Sequence, residues 1–126
     1  MKSRIAGLLI AFIAVNGASA TDLTIHLPGT TTVSRKIVKY QCDSTGSKIG
    51  LPGDVFSVEY INAGGNSLVI VPVSGKPMIF ANVVAGSGAR YVAAEFTWWE
   101  AGGRVTFISD SLSGKAQTTC DVVRAQ

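Results

Sequence analysis

Between Lys36 and Val123 the apolar positions fall in short runs rich in Val, Ile, Phe, Tyr and Thr, broken at close intervals by glycine-bearing segments. A helical period is hard to find. Val38, Tyr40 and Cys42 alternate with Lys39 and Gln41, and Phe56, Val58 and Tyr60 alternate with Ser57 and Glu59, the two-residue period of strands buried on one face. The pattern predicts strands over 36–42, 55–62, 67–73, 78–85, 90–94, 95–99, 104–109 and 116–123. Between them stand Ser44-Thr45-Gly46, Pro52-Gly53-Asp54, Ala63-Gly64-Gly65-Asn66, Ser74-Gly75-Lys76-Pro77, Ala101-Gly102-Gly103 and Ser113-Gly114-Lys115, compositions suited to turns. An all-β class follows, and eight closely spaced strands suit a small antiparallel barrel or sandwich. Two stretches stay open. Residues 67–73 are almost wholly apolar, so alternation does not say which face is inward, and residues 21–35 read equally as a loose arm or an added edge strand.

The start of the chain changes how the rest is weighed. Lys2 and Arg4, the apolar run 5–15 and Ala18-Ser19-Ala20 read as an export leader over residues 1–20, cleaved before Thr21. That run is short for a membrane span, which needs about 20 apolar residues, and no later stretch comes near it. Residues 21–126 then form one domain of ordinary size. The formal charge of +3 includes the leader's two basic residues, so the remainder is nearly neutral. No basic run exceeds Arg35-Lys36, which argues against a nucleic-acid surface.

An exported chain with two cysteines, Cys42 and Cys120, implies a disulfide between them. Their spacing is not that of a metal or redox pair. Closing so long a loop stabilises by roughly 4 kcal/mol in the chain-entropy picture. Catalytic constellations are missing. His26, the single histidine, lies in the undecided segment 21–35, and the eight acidic residues are scattered singly. Gly86-Ser87-Gly88 lacks the lysine of a phosphate loop. The sequence therefore reads as a binding protein rather than an enzyme, with no cofactor or metal called for.

One resemblance rests on particular residues. Ser87-Gly88-Ala89-Arg90-Tyr91, followed by Phe96-Thr97-Trp98-Trp99-Glu100-Ala101-Gly102, resembles the two short signatures of the bacterial inhibitors of c-type lysozyme, which have membrane-bound and periplasmic branches. Tyr40-Gln41-Cys42 and the late Cys120 add to the likeness, which runs from about Val38 to Val122. It implies an eight-stranded antiparallel β-barrel and a c-type lysozyme as partner. Thr21, where a lipid-anchored protein would carry cysteine, points to the soluble periplasmic branch. The biological role would be evasion of host defence or control of an endogenous enzyme. A barrel that binds some other partner without inhibiting is the alternative.

In the family the serine of the first signature sits on a loop that enters the lysozyme cleft, and Ser87 matches it. A retaining glycosidase holds its two carboxyl groups about 5 Å apart, so one hydroxyl can bond to both and displace the catalytic water. Gly86 and Gly88 would let the backbone turn sharply and approach the enzyme. The resemblance thus implies a lysozyme-binding set of Ser87, Gly88, Ala89, Arg90 and Tyr91, with Tyr91 bracing rather than touching. A departure lies in the second signature, where the family has lysine before the final glycine and this chain has Ala101. A charge-assisted bond contributes about 1.5–3 kcal/mol, and Arg104 or Arg90 would have to supply it instead. Trp98 and Trp99 are adjacent, so in a strand one enters the core while the other faces outward, where it could anchor a partner or a homodimer.

Overall fold

A computed structural model describes residues 22–124 continuously, together with positions 3, 7, 10, 11 and 17. The leader expected over 1–20 and its cleavage point before Thr21 lie outside that continuous span. Eight strands form the fold: β1 (Val33–Cys42), β2 (Phe56–Ala63), β3 (Asn66–Val73), β4 (Lys76–Val83), β5 (Ala89–Ala93), β6 (Phe96–Ala101), β7 (Arg104–Ser111) and β8 (Gly114–Val122). Each pairs antiparallel with the next, and β1 pairs with β8, closing a barrel. Closure removes the unpaired edges that an open sheet of this size would present.

The expected strands are all present, with shifted ends that have identifiable causes. β1 begins at Val33 because its ladder with β2 runs out to Val33↔Ala63. β4 stops at Val83 because its pairing with β5 ends at Val83↔Arg90. Between β5 and β6 the sequence shows no turn composition, yet Ala94 adopts φ 49 and the chain reverses there. A left-handed backbone at a residue other than glycine, asparagine or aspartate has no compositional signal. One short helix, α1 (Thr45–Lys48), lies where only a turn was expected. Asp43 organises it: its carboxylate accepts hydrogen bonds from Thr45 N at 2.9 Å, from Thr119 N at 3.1 Å and from the Thr118 hydroxyl.

The interior is filled by side chains, as befits an eight-stranded barrel. Trp98, Tyr40, Phe80, Phe107, Val58, Val69, Val71 and Val105 are all essentially inaccessible. Trp98 is the hub, with Tyr40, Phe56 and Phe107 packed edge-on around it. Of the adjacent pair, Trp98 is therefore the core residue and Trp99 the outward one.

Burial also decides the apolar strand β3, where Val69, Val71 and Val73 point inward while Leu68 and Ile70 occupy the opposite face. That outer face is apolar for a reason. Residues 22–32 form no strand, but Leu23, Ile25 and Leu27 line a groove of about 430 Å³ together with Ile61, Leu68, Ile70 and Ile79. The undecided segment thus divides, its first part an arm along the barrel wall and its last three residues the start of β1.

Cys42 and Cys120 are bonded, and they face each other across the β1–β8 seam. That seam has only three residue pairs, Tyr40↔Val122, Gln41↔Asp121 and Cys42↔Cys120. The covalent link thus reinforces one of the barrel's two shortest ladders, the other being that between β4 and β5, which also has three pairs.

Candidate binding site at one end of the barrel

Antiparallel order places alternate connections at the same end. One end carries the β2–β3 hairpin, the β4–β5 loop, the β6–β7 turn and the exit of β8, so the two signature segments converge there. The β4–β5 loop consists of residues 84–88, and Ser87 lies exposed within it. At its base Asn82 Nδ2 donates to Arg90 O at 3.1 Å, tying the end of β4 to the start of β5.

Two contacts join this loop to β6. Gly88 has φ 65, and a Cβ there would collide with the carbonyl oxygen of Glu100 and lie 3.0 Å from the Ala101 side chain. Only glycine fits both the backbone angle and the space. Trp99 Nε1 donates to Ser87 O at 2.9 Å. Gly86, by contrast, is not among the positive-φ glycines and has open space around it, so the sharp turn is made at Gly88 rather than at both glycines.

The β6–β7 connection is a two-residue hairpin whose Gly102 and Gly103 have φ 63 and 76, the mirror-image geometry that matches strand twist. Ala101 and Arg104 are consequently cross-strand partners. Arg104 Nε lies 2.8 Å from Asp121 Oδ1, its own partner on β8, and both side chains are well exposed. Such an exposed pair contributes little, 0–1 kcal/mol at the median, and is easily redirected. Arg90 is exposed opposite Trp99 and enters none of the three ion pairs among the described residues. Ala89 is half-buried opposite Glu100. Tyr91 points inward, 8% exposed, with its ring edge-on to Tyr60 at 6.1 Å.

Beneath these loops lies a polar chain that alternation alone did not reveal. Trp98 Nε1 donates to the Tyr60 hydroxyl at 3.0 Å, and the Tyr60 and Tyr40 hydroxyls are 2.7 Å apart. Burial pushes the Tyr60 phenol far above its ordinary range, with the Tyr40 hydroxyl adding to the shift. Tyr40 and Tyr91 are raised too, burial first and the nearby Glu100 carboxylate after it. All three phenols are therefore neutral, and the chain's three tyrosines meet below the loop end. The signal was present: Tyr40, Tyr60 and Tyr91 hold inward-facing strand positions. Tyr40 and Tyr60, with Lys36, Val38, Asn62 and Glu100, line an open cavity of about 950 Å³. Among the described residues no group of three or more His, Cys, Asp or Glu side chains could hold a metal, and His26 is exposed in the arm.

Comparison with known proteins bears on the family and the fold. The family model described as membrane-bound lysozyme-inhibitor of c-type lysozyme matches residues 40–110. A protein of that name from Pseudomonas aeruginosa is 32% identical over 117 residues, spanning 88% of this chain and 86% of the relative. A second, from Cupriavidus necator, is 32% identical over 96 residues, or 74% and 70%. Among solved structures, Pseudomonas aeruginosa MliC in complex with hen egg white lysozyme superimposes with a TM-score of 0.65 at 32% identity, covering 84% of this chain and all of that one. These relatives are called membrane-bound, whereas Thr21 led to the expectation of a soluble protein; among the described residues no helix is long and apolar enough to cross a membrane. With the signature residues, the barrel and these matches in agreement, this chain belongs to the family of membrane-bound lysozyme inhibitors of c-type lysozyme.

Proposed function

We propose that this chain inhibits c-type lysozyme by occlusion, seating the Ser87 loop in the enzyme's active-site cleft, and that it does so as a soluble periplasmic protein released by cleavage before Thr21. The observation that carries the reading is the convergence of Ser87, Gly88, Ala101 and Arg104 at one end of the barrel. Support comes also from the family and from the relative solved with hen egg white lysozyme. Gly88 brings the loop tight against β6, leaving Ser87 at the surface. A neutral hydroxyl can donate to one carboxylate and accept from a protonated partner, so it satisfies a mixed acid and base pair without burying a charge. Burying a lone cation there would carry a desolvation cost that a hydroxyl avoids.

Arg104 stands in for the family's lysine in part. It lies across the hairpin from Ala101, and its exposed pair with Asp121 costs little to exchange for an enzyme carboxylate. Because the chain's charge is close to balanced outside its first residues, long-range steering toward a basic enzyme is weak, and affinity depends on contacts in the cleft. Evasion of host defence is the role such inhibition would serve in an exported bacterial protein.

The test is cell-wall lysis by a c-type lysozyme in the presence of the oxidised protein, with a goose-type enzyme as control. Inhibition of the c-type enzyme alone, lost on Ser87→Ala, is the expected result. Failure of the wild type at micromolar concentration would favour a second reading, motivated by Ala101: a barrel of this family that binds another partner. Cell fractionation, with the protein expected in the periplasmic fraction, checks the location.

A further inference from the structure

The contacts around the β4–β5 loop point to a residue outside the family signatures' expected binding set. We infer that Trp99 is the positioning residue of the inhibitory loop, its indole N–H holding the Ser87 carbonyl so that the loop is ordered before any enzyme arrives; this rests on the reading of Ser87 as the inserted residue. Three observations converge. The loop is anchored at its base, where Asn82 bonds to Arg90 O, and at its far side, where Gly88 lies against the Glu100 carbonyl. Residues 84–87 between these anchors have no ladder partner on either side. In this unpaired stretch the bond from Trp99 Nε1 to Ser87 O, at 2.9 Å, is the one side-chain clamp among the described residues, and it lands on the residue proposed to enter the cleft.

The position of Trp99 makes the clamp separable from the core. Trp98 supplies the buried aromatic hub, while Trp99 is its outward, half-buried neighbour, paired across strands with Arg90. Replacing the outer indole therefore leaves the packing of Trp98, Tyr40 and Phe107 in place. A loop that samples its bound shape only part of the time binds more weakly in proportion to that fraction. A single hydrogen bond of ordinary net worth keeps a loop ordered by up to about tenfold.

Trp99→Phe keeps an aromatic ring and removes the donor. Two measurements test it on the full oxidised protein: the dissociation constant for a c-type lysozyme, in the wild-type and Ser87→Ala backgrounds, and backbone amide order over residues 84–88 in the free protein. The expected result is roughly tenfold weaker binding in the wild-type background, little further loss in Ser87→Ala, and a loosened loop. An equal loss in both backgrounds would assign Trp99 a direct contact or a general structural role and overturn the inference. Unchanged loop order in Trp99→Phe would overturn it as well, whatever the binding. Should the wild type fail to bind lysozyme, the lysozyme reading falls, and the order of residues 84–88 alone decides whether the clamp exists. Trp99→His, which retains a ring N–H, is expected to recover part of the loop order, an outcome that bulk packing would not produce.

Discussion

On the proposed reading Ala101 stands where the family signature carries lysine, and the physical question is whether a charge placed there would add to binding. Lysine at position 101 would stand directly across the hairpin from Arg104. Like charges on opposed strand positions cost about 0.2–1 kcal/mol, and Asp121, already paired with Arg104, offsets part of that. A charge-assisted bond in the cleft contributes about 1.5–3 kcal/mol, so the gain prevails. Ala101→Lys is expected to lower the inhibition constant about tenfold or more. Arg104→Ala is expected to raise it severalfold, and unchanged inhibition in that variant would remove Arg104 from the site.

At the scale of the element, the short helix α1 depends on one carboxylate. Asp43 accepts hydrogen bonds from Thr118, Thr119 and Thr45, and these hold its carboxyl below the ordinary carboxylate range, the Thr118 hydroxyl contributing most. A carboxylate with a lowered folded-state pKa stabilises the native state above its unfolded value of about 3.8, and that stability is lost as pH falls through the lower folded value. Thermal unfolding followed from neutral pH down into this range is expected to show a drop in Tm that Asp43→Asn lacks, the variant being less stable than wild type at neutral pH. If wild type and variant lose stability in parallel, the carboxylate is not what ties α1 to β8. The same scale explains the turns. Gly102-Gly103 announced its hairpin through composition, but Ala94 did not, because its left-handed backbone is imposed by the strands on either side.

For the whole molecule, closure of the barrel is the decisive event, and the β1–β8 ladder that completes it is one of the two shortest, level with that between β4 and β5. Three ladder pairs and one disulfide hold the β1–β8 seam, against eight pairs between β7 and β8. Replacing Cys42 and Cys120 together by alanine is expected to cost about 2–5 kcal/mol in denaturant unfolding of the oxidised-state reference. Opening at this seam also frees the cavity bounded by Tyr40, Tyr60 and Val122, so the variant should exchange the β1 and β8 amides faster than those of β3 and β4. Equal exchange across all strands would mean that the barrel opens as one unit rather than at the seam.

The sequence by itself determined the all-β class, the number of strands, most of the turns and the pairing of the two cysteines. Each of these follows from local rules: a two-residue period, glycine-bearing breaks, and an even cysteine count in a chain read as exported. The signature residues Ser87 to Tyr91 and Phe96 to Gly102 also carried the family, since they can be read without knowing where they lie. Only the tertiary structure decided the rest. Which face of β3 is inward depended on what covers the other face, and the arm with Leu23, Ile25 and Leu27 lies more than thirty-five residues away in sequence. Trp98 and Trp99 are equivalent by period and differ only because the barrel closes on one side of β6. The meeting of Ser87 with Trp99, of Gly88 with Glu100, and of Tyr40 with Tyr60 and Trp98 depends on strand register and shear, which act between distant segments and leave no mark on either one alone.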